Sequence, residues 1–313
     1  MESSEPEESS LSVVVVVYDM ARELPRTLRS LSPPYQRGVS VDDYEVIVVD
    51  NGSPQGLDET MLRHFPGRLR TIRLDPASPS PVHAANVGLE LAEGALVGLM
   101  IDGARLASPR FLATARRASR LAAKPVITTA AFHLGSVTHM RAGEVGYDQS
   151  AEDQLLARTD WETDGYRLFA VSTLSGSSGR GIFGPMGESN GLFMRSETWR
   201  ELGGLDERFG LPGGGLANHD LYRRACALDG AELIVMLGEG TFHQYHGGAA
   251  TSRRFSWDEM HTDYQAVRGY AHEPPQNEPL YVGTIPGAML EHVSHSTQLA
   301  IGRVARARDA APG

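Results

Sequence analysis

A strand–helix–strand pattern near the amino terminus constrains the fold of this chain more than any other feature. Val13–Tyr18 is an apolar, mostly β-branched run, which is typical of a strand covered on both faces. Glu23–Leu31 follows with leucines at helical spacing. Tyr44–Val49 is a second strand of the same kind, closed by the turn residues Asp-Asn-Gly-Ser at 50–53. The segment therefore predicts a parallel βαβ unit.

The alternation continues through the first 135 residues. Three more helices and three more strands are predicted: helices at Leu57–His64, Pro81–Glu93 and Pro109–Ala123, and strands at Leu69–Leu74, Leu96–Ile101 and Val126–Phe132. This pattern predicts an α/β fold with a mainly parallel, Rossmann-like sheet flanked by helices. Asp19, Asp50 and Asp102 each follow a predicted strand. Because ligands bind beyond the carboxyl ends of such strands, we expect a crevice lined by these carboxylates.

The pattern is weaker in the second part of the chain. Residues 136–188 are polar and rich in Gly and Ser, which predicts an insertion or lid beside the site. The regular segments that follow are a strand leading into a helix over Gly191–Leu202, a helix within Leu216–Leu228, a strand at Leu233–Leu237, and a helical end from about Trp257 with an extended Pro-rich link at 274–286.

Composition narrows the class of protein. The 313 residues carry a net charge of −10 without a long basic run, which disfavours a nucleic-acid partner. The single cysteine, Cys226, excludes an intrachain disulfide and is expected to be a buried apolar residue. The apolar run at Val13–Val17 is too short for a membrane helix, and the acidic, Ser-rich start is unlike a signal peptide. We expect a soluble, cytoplasmic protein, with peripheral membrane contact left open.

Four residues, Asp102, Asp220, His243 and His246, carry groups suited to catalysis or metal binding. Asp102 supplies a carboxylate where a divalent cation could neutralise a diphosphate, or else it caps a helix. His243 and His246 lie in a Gly-rich segment that we interpret as a loop, where one imidazole could complete a metal site or be structural. Asp220 could act as a general base, or pair with the arginines one turn further along its helix.

Five segments, taken in order, resemble the inverting glycosyltransferases of family 2, which have the GT-A fold. They are Val13–Tyr18 with Leu24–Leu31, Tyr44–Ser53, Ala84–Leu89 with Ala92–Gly94, Gly191–Arg195 with Gly203–Glu207, and Asp220–Arg224. The resemblance covers roughly residues 11–250. It implies a disordered acidic tail at 1–10, a nucleotide-sugar-binding half at 11–135, an acceptor-binding half with the inserted lid at 136–250, and a C-terminal helical extension at 251–313.

Two motifs depart from the family pattern. The metal motif is Asp-x-Asp, and Ala104 stands in place of the second acid. Either Asp102 and His243 hold the cation together with the diphosphate, or Arg105 partly replaces its charge. Asn218 stands near the usual position of the catalytic base.

The resemblance implies a role for each candidate residue. The base is Asp220, or else Glu188 or Glu239, and the metal ligands are Asp102, His243 and His246. The nucleotide is contacted by Tyr18, Asp19, Arg22, Asp50, Gly52, Ser53, His83, Asn86, Ile101, Asp102, Gly103, Ala104 and Arg105. The acceptor is contacted by Asn190, Trp161 and Tyr166.

The implied reaction moves a sugar from a nucleoside diphosphate sugar to a hydroxyl group by single displacement with inversion. The expected donor is a UDP-sugar, with GDP- and dTDP-sugars as alternatives, and the expected cofactor is Mn²⁺ or Mg²⁺. The acceptor is a carbohydrate, a glycoconjugate or a natural product, and a homodimer is compatible with the sequence. A nucleotidyltransferase lacks support, because no Gly-rich, basic phosphate loop follows the first strand. A non-catalytic module that binds nucleotide-sugars or glycans is the alternative, since the Asp-x-Asp motif is incomplete.

Overall fold

One sheet of ten strands runs through the part of the chain that the computed structural model describes, residues 10–247 and 256–310. The predicted tail at 1–10 lies outside the described residues except for Ser10. The strands are β1 Leu11–Val17, β2 Tyr44–Asp50, β3 Arg68–Arg73, β4 Leu96–Met100, β5 Arg105–Ala107, β6 Lys124–Leu134, β7 Ser172–Leu174, β8 Leu192–Arg195, β9 Ala231–His243 and β10 Leu280–Gly283.

Nine α-helices accompany the sheet in the described residues. They are α1 Leu24–Ser30, α2 Glu59–Arg63, α3 Val82–Leu91, α4 Phe111–Ala118, α5 Gln149–Thr159, α6 Ser196–Leu202, α7 Ala217–Cys226, α8 Trp257–Arg268 and α9 Leu290–Ala310. All the helices and strands predicted up to residue 135 are present, with ends that differ by a few residues. None of the described helices combines the length and apolar character needed to cross a membrane.

The sheet is mainly parallel, as predicted. Its order is β10-β9-β6-β8-β4-β1-β2-β3, with β5 paired to β9 and β7 paired to β6. Only β5, β7 and β8 pair antiparallel to their neighbours among the described strands. Strand β1 lies between β2 and β4 and is parallel to both, so the carboxyl ends of these three strands meet at one edge.

Strand β1 supplies side chains to two apolar cores, one on each face of the sheet. Val14 and Val16 belong to the first core, whereas Val13, Val15 and Val17 belong to the second. This division follows from the alternation of side chains along a strand. Both faces are covered by helices, which explains why the sequence of β1 is apolar throughout.

Three elements differ from the sequence prediction. Strand β9 was predicted to end at Leu237 and to be followed by a loop, but it continues to His243. The loop prediction was wrong because β6 and β5 lie on either side of β9 and hold it extended through its glycines. Strand β5 was not predicted, and the predicted link at 274–286 contains β10.

Candidate active site

The turn after β2 forms one half of the crevice at the carboxyl edge of the sheet. Asp50 Oδ1 accepts hydrogen bonds from the backbone N and Oγ of Ser53, at 2.8 and 2.5 Å. The same Ser53 Oγ accepts the backbone N–H of Asp19, which follows β1, at 2.9 Å. Asp50 is fully buried, and its Oδ2 has no hydrogen-bond partner among the described residues. Next to Asp19, the ring of Tyr18 is 48% exposed and can lie against a planar ligand.

The second half of the crevice is a row of side chains across three neighbouring strands. His133 of β6, His243 of β9 and Arg105 of β5 are paired across the sheet. Residues that are directly opposite each other project on the same face of a sheet, so these three side chains lie together. Asp102, in the bend between β4 and β5, reaches the same place, with its Oδ2 at 2.7 Å from His243 Nε2.

Asp102, His243 and His246 form a group that fits a cation. His246 Nε2 lies 3.2 Å from His243 Nε2 and 3.7 Å from Asp102 Oδ1. One ligand atom from each of the three residues lies within 4.8 Å of the others. A carboxylate with two imidazoles is a donor set that first-row divalent metals accept. The residues therefore fit the divalent cation implied by the sequence.

Burial and mutual contact set the charges in this group. Burial lowers the pKa of His243 to about 4, although Asp102 partly opposes that shift, so the imidazole is neutral at neutral pH. For Asp102, burial would raise the pKa, but His243, His246 and Arg105 together lower it well below its usual value. A neutral imidazole beside an ionised carboxylate is the state in which both can bind a metal.

Arg105 adds a positive charge that is almost without partners. Its side chain is 8% exposed, and Nε is 3.6 Å from Asp102 Oδ2. Neither Nε nor one terminal nitrogen makes a hydrogen bond with any described residue. Because buried guanidinium groups need acceptors, this side chain is suited to a phosphate.

Ala104 packs in the apolar core and its N–H is bound by Asp102 Oδ1 at 3.0 Å. The position of the second acid of Asp-x-Asp is therefore filled by a buried methyl group.

Glu188 is a second carboxylate whose pKa is influenced by the charge of Arg105. Its two oxygens accept hydrogen bonds from the side-chain amides of Asn190 at 3.1 Å and Asn218 at 2.8 Å. Burial would raise the pKa of Glu188, but His219, Arg105 and the two amides lower it overall. The side chain is 20% exposed, so this ionised and oriented carboxylate is accessible from solvent.

Strands β1 to β4 lie in a segment of the chain that matches a known family. Residues 12–102 match the model described as Glycosyl transferase family 2, from β1 to Asp102. The matched segment is similar to glycosyl transferase family 2 and covers less than a third of the chain. No curated protein sequence matches it.

Two solved structures share the GT-A fold of this chain. The first 349 residues of S. aureus TarS, in complex with UDP-GlcNAc, superpose with a TM-score of 0.52 and 14% identity, over 82% of this chain and 66% of that one. The mannosyltransferase PcManGT from Pyrobaculum calidifontis, in complex with GDP-Man and Mn²⁺, gives a TM-score of 0.50 and 17% identity, over 97% of this chain and 76% of that one. The chain spans 58–70% of the TarS fragment in its solved structures and 42% of TarS.

Asp220 lies in an ion-pair cluster with two arginines. Its two oxygens accept hydrogen bonds from Arg268 at 2.6 Å each, and Oδ2 also accepts one from Arg224 at 2.7 Å. The side chain is 1% exposed. A carboxylate fully engaged by two guanidinium groups serves to hold α7 against α8.

A further group of predicted site residues gathers around Glu239, in the second half of β9. Glu239 accepts hydrogen bonds from Ser108 Oγ at 2.5 Å and from Tyr166 OH at 2.9 Å, and burial raises its pKa. Trp161 is buried, with its ring edge-on to Tyr35. Glu239 precedes His243 by four residues, which is about 13 Å along a strand. Trp161, Tyr166 and Glu239 therefore form a packing cluster away from Asp102.

Three predicted nucleotide contacts have structural partners instead. Arg22 donates to the carboxylates of Glu23, Glu152 and Asp153 and to two backbone carbonyls. Asn86 exchanges two hydrogen bonds with the backbone of Leu205, at 2.9 and 3.0 Å.

On the outer side of α3, the ring of His83 lies 3.0 Å from Glu207, and both side chains are more than half exposed. Gly52, Ile101 and Gly103 remain at the carboxyl edge, in the turn after β2 and the bend after β4.

Sequence reasoning missed His133 and His139, which lie behind His243. His133 could have been found, because it is the next residue after the predicted strand Val126–Phe132. His139 has no such signal, since it comes from the insertion and meets a partner 104 residues away in the sequence.

Proposed function

We propose that the chain transfers a sugar from a nucleoside diphosphate sugar to an acceptor hydroxyl, by single displacement with inversion. One observation carries this proposal. Asp102, His243 and His246 lie with Arg105, which has two nitrogens without hydrogen-bond partners among the described residues, at one edge of the sheet. The same edge holds the turn formed by Asp50 and Ser53. A nucleoside diphosphate has the matching chemistry, with a base at one end and two charged phosphates at the other.

The nucleoside binds at the turn after β2 in this proposal. Asp50 Oδ2, which has no partner among the described residues, accepts an N–H of the base, and the exposed ring of Tyr18 stacks on it. Both uracil and guanine offer such an N–H. This is compatible with TarS, solved with UDP-GlcNAc, and with PcManGT, solved with GDP-Man.

The diphosphate lies over Arg105 and the Asp102 group. The two Arg105 nitrogens without a hydrogen-bond partner among the described residues, Nε and one terminal nitrogen, donate to phosphate oxygens and stabilise the charge that develops on the leaving group. A divalent cation held by Asp102, His243 and His246 supplies further neutralisation of the diphosphate when it is bound. Mn²⁺ suits a donor set with two imidazoles better than Mg²⁺, which prefers oxygen ligands.

Glu188 is the general base of the proposed reaction. It is ionised at neutral pH because its pKa is lowered, and the amides of Asn190 and Asn218 hold it in one orientation. Asn218 occupies the position where the family carries its base, so the carboxylate is supplied from the neighbouring loop. Glu188 takes the proton of the acceptor hydroxyl as that oxygen attacks the anomeric carbon.

The test is product formation from UDP-, GDP- and dTDP-sugars with a panel of carbohydrate acceptors. Glu188→Gln is compared with Glu197→Gln, a change on the exposed face of α6. We expect Glu188→Gln to lower turnover by about 10²- to 10⁴-fold with donor binding retained, and Glu197→Gln to match the wild type. The proposal fails if Glu188→Gln turns over normally. A donor that stabilises the protein without any turnover would support the non-catalytic binding module instead.

A further inference from the structure

His139 is buried among four aromatic rings, those of His133, Tyr147, His243 and Tyr245. It is 2% exposed, stacks on His133 with ring centroids 4.4 Å apart, and stacks on Tyr147 at 5.8 Å. Tyr245 meets the ring edge-on at 5.4 Å. This enclosure leaves the imidazole one orientation, in which each of its two nitrogens has one partner.

Those two partners define the protonation of the ring. His139 Nε2 lies 3.0 Å from the carbonyl oxygen of Leu134, which can only accept, so Nε2 carries the hydrogen. The ring is buried, and the side chains that touch it (His133, His243, Tyr147 and Tyr245) include no carboxylate among the described residues, so the ring is neutral and its Nδ1 is an acceptor. The backbone N–H of His139 donates to His133 Nδ1 at 2.8 Å, which ties the segment to the end of β6.

The Nδ1 acceptor of His139 in turn determines which ring nitrogen of His243 carries the hydrogen. The two Nδ1 atoms are 2.9 Å apart, so His243 must donate from Nδ1. A neutral His243 then has its lone pair on Nε2, the atom that lies 2.7 Å from Asp102 Oδ2 and 3.2 Å from His246 Nε2. Two lone pairs that face each other at 2.7 Å repel unless a cation lies beside them, and in the metal-free protein that cation is the guanidinium of Arg105, whose Nε is 3.6 Å from Asp102 Oδ2.

We propose that His139 is a positioning residue, which fixes the tautomer and ring orientation of His243 so that Nε2 is presented to the cation. The proposal deepens the proposed function and rests on His243 being a ligand there. Residues that hold the second nitrogen of a metal-binding histidine commonly contribute 10- to 100-fold to metal affinity. The predicted insertion, which carries His139, would then support the metal site through His243, in addition to any contact with the sugar acceptor.

The first test examines the wild-type protein without metal. Long-range ¹H–¹⁵N spectra of protein labelled on its histidine rings report which nitrogen carries the hydrogen near neutral pH. The signals of His139 and His243 are assigned from their loss in His139→Asn and His243→Asn. We expect His139 as the Nε2–H tautomer and His243 as the Nδ1–H tautomer. A His243 that carries its hydrogen on Nε2, or that exchanges between both forms, overturns the proposal.

The second test measures Mn²⁺ affinity by electron paramagnetic resonance in three variants. His139→Phe removes the acceptor, His139→Asn retains an oxygen near the place of Nδ1, and His295→Phe is a matched change at an exposed histidine of α9. We expect binding about 10- to 100-fold weaker in His139→Phe, recovered for the most part in His139→Asn and unchanged in His295→Phe.

Equal Mn²⁺ affinity in wild type and a folded His139→Phe variant contradicts the proposal. Absence of Mn²⁺ binding in the wild type contradicts the proposed cation site instead, and the tautomer measurement then decides about His139 by itself. If His139→Phe does not fold, the spectra of the wild type and the affinity of His139→Asn decide the question, since loss of affinity in His139→Asn would also count against it.

Discussion

Two carboxylates of this chain, Asp220 and Glu188, show how partners decide the role of an acidic side chain. Asp220 is satisfied by the guanidinium groups of Arg224 and Arg268, and it is almost fully buried. Glu188 is held by neutral amides and keeps a fifth of its side chain exposed. A carboxylate paired with fixed cations stabilises a contact between helices, whereas one held by amides keeps its charge available to a substrate.

Replacing Asp220 by Asn should therefore affect folding and leave the chemistry intact. Removing one partner of a buried ion pair costs about 3 kcal/mol, because the arginine charges lose their compensation. Urea denaturation measures this loss, and kcat per folded molecule should stay near that of the wild type. Unchanged stability together with lost turnover would show that Asp220, and not Glu188, is the base.

Arg105→Met should separate the diphosphate contact from the nucleoside contact. The change removes a buried guanidinium with two nitrogens that lack hydrogen-bond partners among the described residues, but it also removes the cation beside Asp102, so we expect thermal stability to change little. Affinity for a nucleoside diphosphate should fall about 10- to 100-fold, and affinity for the nucleoside alone should not change. Calorimetric titration of both ligands checks this. A parallel loss of nucleoside affinity would contradict the assignment of Arg105 to the phosphates.

At the scale of elements, the sequence predicts those helices and strands whose own residue pattern is enough to define them. The βαβ unit is of this kind, because both faces of β1 are covered and its apolar run is continuous. The end of β9 cannot be predicted in this way, because its glycines favour a loop and its pairing with β5 and β6 holds it extended. The same limit applies to the site: Asp50 and Asp102 follow predictable strands, whereas Glu188 and His139 reach the crevice through contacts between distant segments.

Helix α5 of the insertion anchors the segment that carries His246. Glu152 is fully buried and accepts hydrogen bonds from Arg22 at 2.8 Å, from the backbone N of Tyr245 at 2.7 Å and from Tyr147 OH at 3.2 Å. Burial raises its pKa, and Tyr245 and Arg22 partly offset that shift. The carboxylate thus ties residues 244–247 to α5.

Glu152→Ala should lower the free energy of unfolding by about 2 to 3 kcal/mol, because a buried N–H and a guanidinium lose their acceptor. Asp153→Ala is the control: its side chain is 47% exposed, and its loss should cost less than about 1 kcal/mol. Hydrogen exchange should be faster at residues 245–247 in Glu152→Ala only. Equal exchange rates in both variants would show that Glu152 does not anchor this segment.

At the scale of the whole molecule, several buried imidazoles make the stability depend on pH. Burial lowers the pKa of His272 to about 4 and also lowers that of His219. The groups around them are Glu188, His261, Arg223 and Asp220. Below the ordinary histidine value of 6.5, the unfolded chain takes up protons that the folded chain does not. Stability should therefore fall as the pH decreases from about 6.5 to about 4.

The melting temperature of the metal-free protein measures this dependence. His272→Gln should flatten the curve between these pH values, whereas His295→Gln, at an exposed position of α9, should leave it unchanged. A slope that is the same in the wild type and in His272→Gln would show that His272 takes up its proton equally well in the folded and the unfolded chain.

The central claim is that one nucleoside diphosphate joins the Asp50 turn to the group of Asp102, His243 and His246. A crystal structure with Mn²⁺ and the nucleoside diphosphate that most raises the melting temperature tests it most directly. We predict an anomalous manganese peak bonded to Asp102 and to Nε2 of both histidines, with the base against the turn at 50–53. A bound nucleotide with no manganese at these three residues, or a base bound elsewhere, would contradict the account.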